Sequence, residues 1–140
     1  MKSARAVRAA IEHEISPLPR EVVENGIKEA VIASTGNAAV AYAAACARAG
    51  IKLWVFMTSL VPQEKLREAA LFGAEVIRVS GNYDQTKQIA SQFAQRRHLL
   101  LDRGATSISA RESMKTIAYE IIEQLGWHAP DWYIQAVSGG

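Results

Sequence analysis

Residues 29–57 read EAVIASTGNAAVAYAAACARAGIKLWVFM, and their order points to a parallel sheet. Residues 29–33, EAVIA, form a short apolar run of the kind that makes a buried strand. The small polar cluster Ser34-Thr35-Gly36 interrupts it. An alanine-rich stretch then predicts a helix from Gly36 to Ala49, stopped by Gly50. Glycine suits that stop because it enters the left-handed region without steric cost. Residues 52–57, KLWVFM, predict a second strand. A strand, a helix and a strand in this order close as a right-handed crossover between parallel neighbours.

The alternation continues downstream. A helix is predicted from near Pro62 to Phe72, with Gly73 as its stop. EVIRV (75–79) predicts a strand, Tyr83 to Arg97 a helix after the turn SGN, and LLLD (99–102) a strand. RESMKTIAYEIIEQLG (111–126) predicts a helix with an apolar face at Ile117, Ala118, Ile121, Ile122 and Leu125. DWYIQAV (131–137) predicts a last strand that runs into Ser138-Gly139-Gly140. Upstream, SARAVRAAIEHE (3–14) predicts a helix capped by Ser3, broken by Pro17 and Pro19, and Asn25-Gly26 closes the segment. The expectation is an α/β fold over residues 1–140 as a single domain: a three-layer αβα sandwich with a mostly parallel, Rossmann-like sheet.

Composition narrows the function classes. The chain has 140 residues, 49% hydrophobic and 21% charged, an ordinary globular balance. Net charge is +2, and acids at Glu12, Glu14, Glu21 and Glu24 interrupt the basic residues, so nucleic acid is not an expected partner. No apolar run reaches the roughly 20 residues that span a bilayer, so no membrane is expected either. The single cysteine, Cys46, allows neither an internal disulfide nor a cysteine zinc site, which points to a cytoplasmic chain. Cys46 reads as a small packing residue within AYAAACARAG. His13, His98 and His128 lack metal-ligand spacing, so no metal is expected. The phosphate-binding motifs G-x-G-x-x-G after a strand and G-x-x-x-x-G-K-[ST] are absent.

In open α/β sheets ligands gather beyond the carboxyl ends of the strands. The first such end carries Ser34, Thr35, Gly36 and Asn37. Ser34 or Thr35 suits an ordinary helix cap. The same residues suit an anion cradle, because free N–H groups and the helix dipole attract negative charge and Gly36 admits close backbone approach. Local chemistry leaves both readings open.

Four collinear segments add to this reading: ASTGNAAVAYAAACARAG, FGAEVIRVSGNYD, ESMKTIAYEIIEQLG and APDWYIQAVSGG. In order and spacing, from about Gly26 to Gly140, they resemble the threonine synthases and, more broadly, the pyridoxal-phosphate enzymes that include threonine dehydratase and cysteine synthase. The resemblance implies pyridoxal 5′-phosphate as cofactor and an amino-acid phosphate as substrate. It implies that Asn37 bonds the cofactor ring hydroxyl and that Ser34, Thr35, Gly36 and Ala38 wrap the substrate carboxylate. It also implies that Ser138, Gly139 and Gly140 begin the loop holding the cofactor phosphate.

Such enzymes form a Schiff base through a lysine. Lys2, in MKSAR, is the candidate; the alternative is a solvated N-terminal side chain. Lys28 precedes its strand and would sit at the wrong end, and Lys115 falls mid-helix, exposed or paired with a carboxylate. The segment DRGATSISARESMKT lacks the Asn-Ser with which threonine synthases hold the substrate phosphate; Arg111 and Arg103 are the candidates there, or else surface charges. The resemblance further implies that residues 1–140 correspond to the smaller domain, with the larger cofactor domain absent and this chain alone inactive. The leading expectation is part of a lyase converting O-phosphohomoserine to threonine and phosphate, in a homo-oligomer. The alternatives are a fragment of a related threonine or serine dehydratase, or a non-catalytic α/β module that binds a small anion or a partner chain.

Overall fold

The computed structural model describes residues 26–106 and 108–134. These residues fall into two compact units that meet in sequence between Arg103 and Gly104. The predicted first helix (3–14), Lys2, and Ser138, Gly139 and Gly140 lie outside the described residues.

The first unit alternates strands and helices throughout. Its elements are β1 (Glu29–Ala33), α1 (Asn37–Ala49), β2 (Lys52–Thr58), α2 (Gln63–Leu71), β3 (Glu75–Val79), α3 (Tyr83–Arg97) and β4 (Leu100–Leu101). The strands form one parallel four-stranded sheet in the order β3-β2-β1-β4. β1 is therefore central, with β2 on one side and β4 on the other.

The two faces of the sheet follow the two-residue period of the strands. Ala30 and Ile32 of β1, with Leu53, Val55 and Met57 of β2, face α1 and α2. Val31 and Phe56 face the opposite way, with Val79, toward α3. Both faces are covered, so the central strand β1 reads as a nearly continuous apolar run. The helices approach the sheet through small residues. α1 buries Ala39, Ala43 and Cys46, and α3 buries Thr86, Ala90 and Ala94. This spacing of three and four residues explains the alanine richness of α1: a narrow stripe of small side chains lets the backbone sit close to the strands. Thr86 is fully buried, and its hydroxyl donates to the Asn82 carbonyl at 2.9 Å.

Cys46 is 1% exposed, and burial pushes its thiol pKa from 9.0 up to about 11. It packs as the small apolar residue expected from the sequence. Lys28 sits at the amino end of β1, where its carbonyl accepts from Lys52 N at 2.9 Å.

Several boundaries differ from expectation. β1, β3 and α3 have the predicted limits, while β2 runs one residue further, to Thr58. β4 is only Leu100–Leu101, because its ladder with β1 ends after two residue pairs. Neither Ser34 nor Thr35 caps α1: the cap position is Gly36, and no side chain bonds the first turn.

In the second unit a 3₁₀ turn, Gly104–Thr106, precedes α4 (Ile108–Gln124). The helix begins three residues earlier than predicted, so Arg111 lies inside its first turns, exposed, rather than at its start. Lys115 is exposed and donates to Glu112 at 2.6 Å, which raises its pKa. Residues 131–134 are not a strand, contrary to the reading of DWYIQAV; Trp132 is 86% and Ile134 92% exposed. Strand-forming side chains make a strand only where a neighbour supplies the ladder, and residues 131–134 pair with none of the described strands. The predicted apolar face of α4 does exist. Met114, Ile117 and Ile121 line a groove of about 390 Å³ with Ala129, Pro130 and Tyr133. No described helix is long and apolar enough to cross a membrane.

Candidate cofactor site at the carboxyl end of the sheet

The topology singles out one end of one strand. The connections through α1 and α2 pass over one face of the sheet and step outward from β1 to β2 to β3. The connection through α3 returns over the other face to β4, on the far side of β1. The chain direction thus reverses between β1 and β4. In open α/β sheets the loops at the carboxyl end of such a reversal diverge and leave a crevice. Residues 34–36 leave β1 there, and Asp102 leaves β4, its N–H donating to the Val31 carbonyl at 2.9 Å.

The loop is anchored and then left open. Ser34 N–H donates to the Phe56 carbonyl at 3.2 Å, which carries the β1–β2 ladder one residue past β1. The Ala33 carbonyl accepts from the Tyr83 hydroxyl at 3.3 Å, so α3 also fixes the strand end. Gly36 N–H makes a long 3.5 Å contact to Ser34 Oγ, and the Gly36 carbonyl accepts the first helical bond, from Ala39 at 3.1 Å. Beyond that, the N–H groups of Asn37 and Ala38 have no acceptor among the described residues. A helix start of this kind carries partial positive charge and unused donors.

Gly36 adds a second observation. Its φ is −135°, a conformation open to any residue. A Cβ built on it would meet nothing within 4 Å. Among the described residues, neither backbone conformation nor packing calls for glycine here.

Asn37 is exposed, and its Oδ1 accepts from Lys65 Nζ at 3.2 Å. Lys65 belongs to the first turn of α2 and also pairs with Glu68 at 2.8 Å. Sequence reading places Ser34, Thr35, Gly36, Asn37 and Ala38 together, and the structure has them on one continuous turn at the strand end. It misses Lys65 and Tyr83, because 28 and 50 residues separate them from the groups they touch. Arg111 stands on α4, in the other unit. His98 and His128 have structural places: His98 is the left-handed cap of α3, and His128 Nδ1 donates to the Gly126 carbonyl at 2.9 Å. Among the described residues no three His, Cys, Asp or Glu side chains gather as metal ligands.

The first unit is, by class, a Rossmann-like α/β domain with an uncapped helix start at its reversal point. The family profile described as "Pyridoxal-phosphate dependent enzyme" matches residues 3–140, and the chain belongs to that family. The family's cofactor is pyridoxal 5′-phosphate. Among curated relatives, the threonine synthase of Methanocaldococcus jannaschii is 37% identical over 115 residues, 81% of this chain and 28% of that enzyme. This chain therefore spans less than a third of that relative's length. Among solved structures, Escherichia coli diaminopropionate ammonia lyase superposes with a TM-score of 0.71 at 20% identity, over 81% of this chain and 34% of that one. Threonine deaminase isoform 2 of Solanum lycopersicum superposes with a TM-score of 0.68 at 21% identity, over 79% and 36%. These superpositions identify the fold as that of fold-type-II pyridoxal-phosphate enzymes.

The residues present fit that cofactor. A phenolate oxygen on the ring needs a donor, and the Asn37 amide nitrogen has no acceptor among the described residues.

Proposed function

We propose that this chain forms the smaller domain of a pyridoxal-phosphate-dependent lyase of the threonine synthase type, acting on O-phosphohomoserine to give threonine and phosphate. The observation that carries the proposal is the start of α1. A helix flanked by Ser34, Thr35 and Asn37 uses none of them as its cap, and keeps its first donors free beside an open space. The 37% identity with a threonine synthase supports the particular reaction.

In this reading the first-turn N–H groups and the Ser34 and Thr35 hydroxyls hold the substrate carboxylate. Asn37 donates to the cofactor ring oxygen. Ser138, Gly139 and Gly140 wrap the cofactor phosphate, and Lys2 bonds the cofactor and moves protons at the substrate. Arg111 takes the substrate phosphate. When bound, pyridoxal phosphate supplies the ring that accepts carbanion charge from the substrate.

A dehydratase reading is favoured by one observation: residues 102–116, DRGATSISARESMKT, carry no Asn-Ser for a substrate phosphate. Equilibrium titration of the purified chain with pyridoxal phosphate tests the common core of both readings. Saturable binding, weakened about tenfold by Asn37→Ala, is the expected result. No saturable binding, or binding unchanged in that variant, rejects the cofactor role of the loop. Borohydride reduction followed by peptide mass spectrometry then locates the bonded lysine; a label away from Lys2 removes Lys2 from the scheme. Competition by O-phosphohomoserine separates the synthase, which must hold a substrate phosphate, from the dehydratase, whose substrate has none.

A further inference from the structure

The contact between Lys65 and Asn37 joins two helix starts that sequence does not connect. Lys65 Nζ lies 3.2 Å from Asn37 Oδ1 and 2.8 Å from Glu68 Oε2. An ammonium group has only donors. It can bond the oxygen end of a carboxamide and cannot bond the nitrogen end. A flipped Asn37 amide would set NH₂ hydrogens against NH₃⁺ hydrogens. The ammonium itself is held in place. Glu68 lies one turn along α2, and the Lys65 backbone N–H donates to the Pro62 carbonyl at 3.1 Å.

We infer that Lys65 is a positioning residue for Asn37: held by Glu68, it engages the carboxamide oxygen and leaves the amide nitrogen as the end offered to an incoming acceptor. The inference deepens the cofactor reading and rests on it for the identity of that acceptor, the anionic oxygen of the pyridoxal ring. Asn37 is exposed, so without Lys65 both orientations of its amide are accessible. One of them would turn an acceptor lone pair toward the ring oxygen. Fixing the orientation in advance removes that cost from binding.

The test uses the whole chain as the wild type and as Lys65→Met, Lys65→Arg, Asn37→Ala and the Lys65→Met/Asn37→Ala double variant. The first readout needs no cofactor: the nitrogen-15 order parameter of the Asn37 side-chain amide, assigned by its loss in Asn37→Ala. It is expected to fall clearly in Lys65→Met and to recover in Lys65→Arg, whose guanidinium also only donates. An order parameter unchanged in Lys65→Met overturns the inference. The second readout is pyridoxal phosphate affinity. Lys65→Met is expected to weaken it about threefold to tenfold, with no further loss in the Asn37→Ala background. A loss that persists in that background means that Lys65 acts on the cofactor by charge alone, and likewise overturns the inference. If Asn37→Ala leaves affinity unchanged, the cofactor reading fails, and the order parameter still decides whether Lys65 orients Asn37.

Discussion

α1 and α3 follow their strands after equally short turns, and they begin in different ways. α3 opens with a complete capping box: Asn82 accepts from Gln85 N–H at 2.9 Å, and Gln85 Oε1 accepts from Asn82 N–H at 2.9 Å. The side chains of Asn82 and Gln85 thus bond the Gln85 and Asn82 amides at that start. α1 opens at Gly36 with Ser34, Thr35 and Asn37 at hand and none of them capping. The sequences SGNYDQ and STGNAA look equally capable of closing a helix. One start carries a side-chain cap, and the other does not. α3 anchors the end of β1 through Tyr83, while the start of α1 has no side-chain cap.

The contrast can be broken hardest through the core behind α3. Phe56 is fully buried, its ring centroid 5.2 Å from that of Phe93 of α3 in a tilted contact, and Phe93 lies 5.1 Å from Trp54. Phe56→Ala is expected to cost about 3–5 kcal/mol in urea unfolding; a cost below about 1 kcal/mol would mean that α3 is not seated by this cluster.

A smaller effect is expected beneath α1. The Cys46 thiol has a folded-state pKa of about 11 against 9.0 for an ordinary thiol. The folded state therefore keeps a proton that the unfolded chain releases. This contribution is fully present below pH 9 and is lost as pH rises toward 11. It amounts to on the order of 2 kcal/mol. Unfolding curves of the wild type and Cys46→Ala should converge over that interval, and parallel curves would show the thiol to be accessible.

The helix starts themselves give the finest comparison. Asn82→Ala removes a working cap and is expected to cost about 1 kcal/mol of stability. Asn37→Ala removes no cap and is expected to cost under about 0.5 kcal/mol, while reducing pyridoxal phosphate affinity. Thermal unfolding of the two variants side by side checks this. Equal losses would mean that the α1 start is an ordinary cap after all.

The sequence is legible where local pattern and tertiary context agree. EAVIA and EVIRV are apolar runs between clear stops, and the strands match them to the residue. The turn SGN before Tyr83 marks the start of α3 for the same reason. DWYI misleads because aromatic and branched side chains favour a strand only when a neighbouring strand is there to pair. LLLD promises four residues, and its register with β1 supports two. At the candidate site the turn 34–38 is readable because its chemistry is contiguous. Lys65 and Tyr83 are not, since only the crossovers of the sheet bring α2 and α3 to the end of β1. The unused cap is also invisible in sequence: a capping residue and a cradle residue are the same amino acids.

The central position of β1 has a consequence in time as well as in space. Its N–H and C=O groups bond strands on both sides, and its side chains are sealed under helices on both faces. Exchange with deuterium there requires the whole unit to open. Four residues past the end of β1, Asn37 N–H is free of any described acceptor and meets solvent at once. Slowly and rapidly exchanging protons are thus neighbours along the chain, and a ligand that seats on the turn would be read first as the slowing of a few exposed amides against a strand that scarcely exchanges.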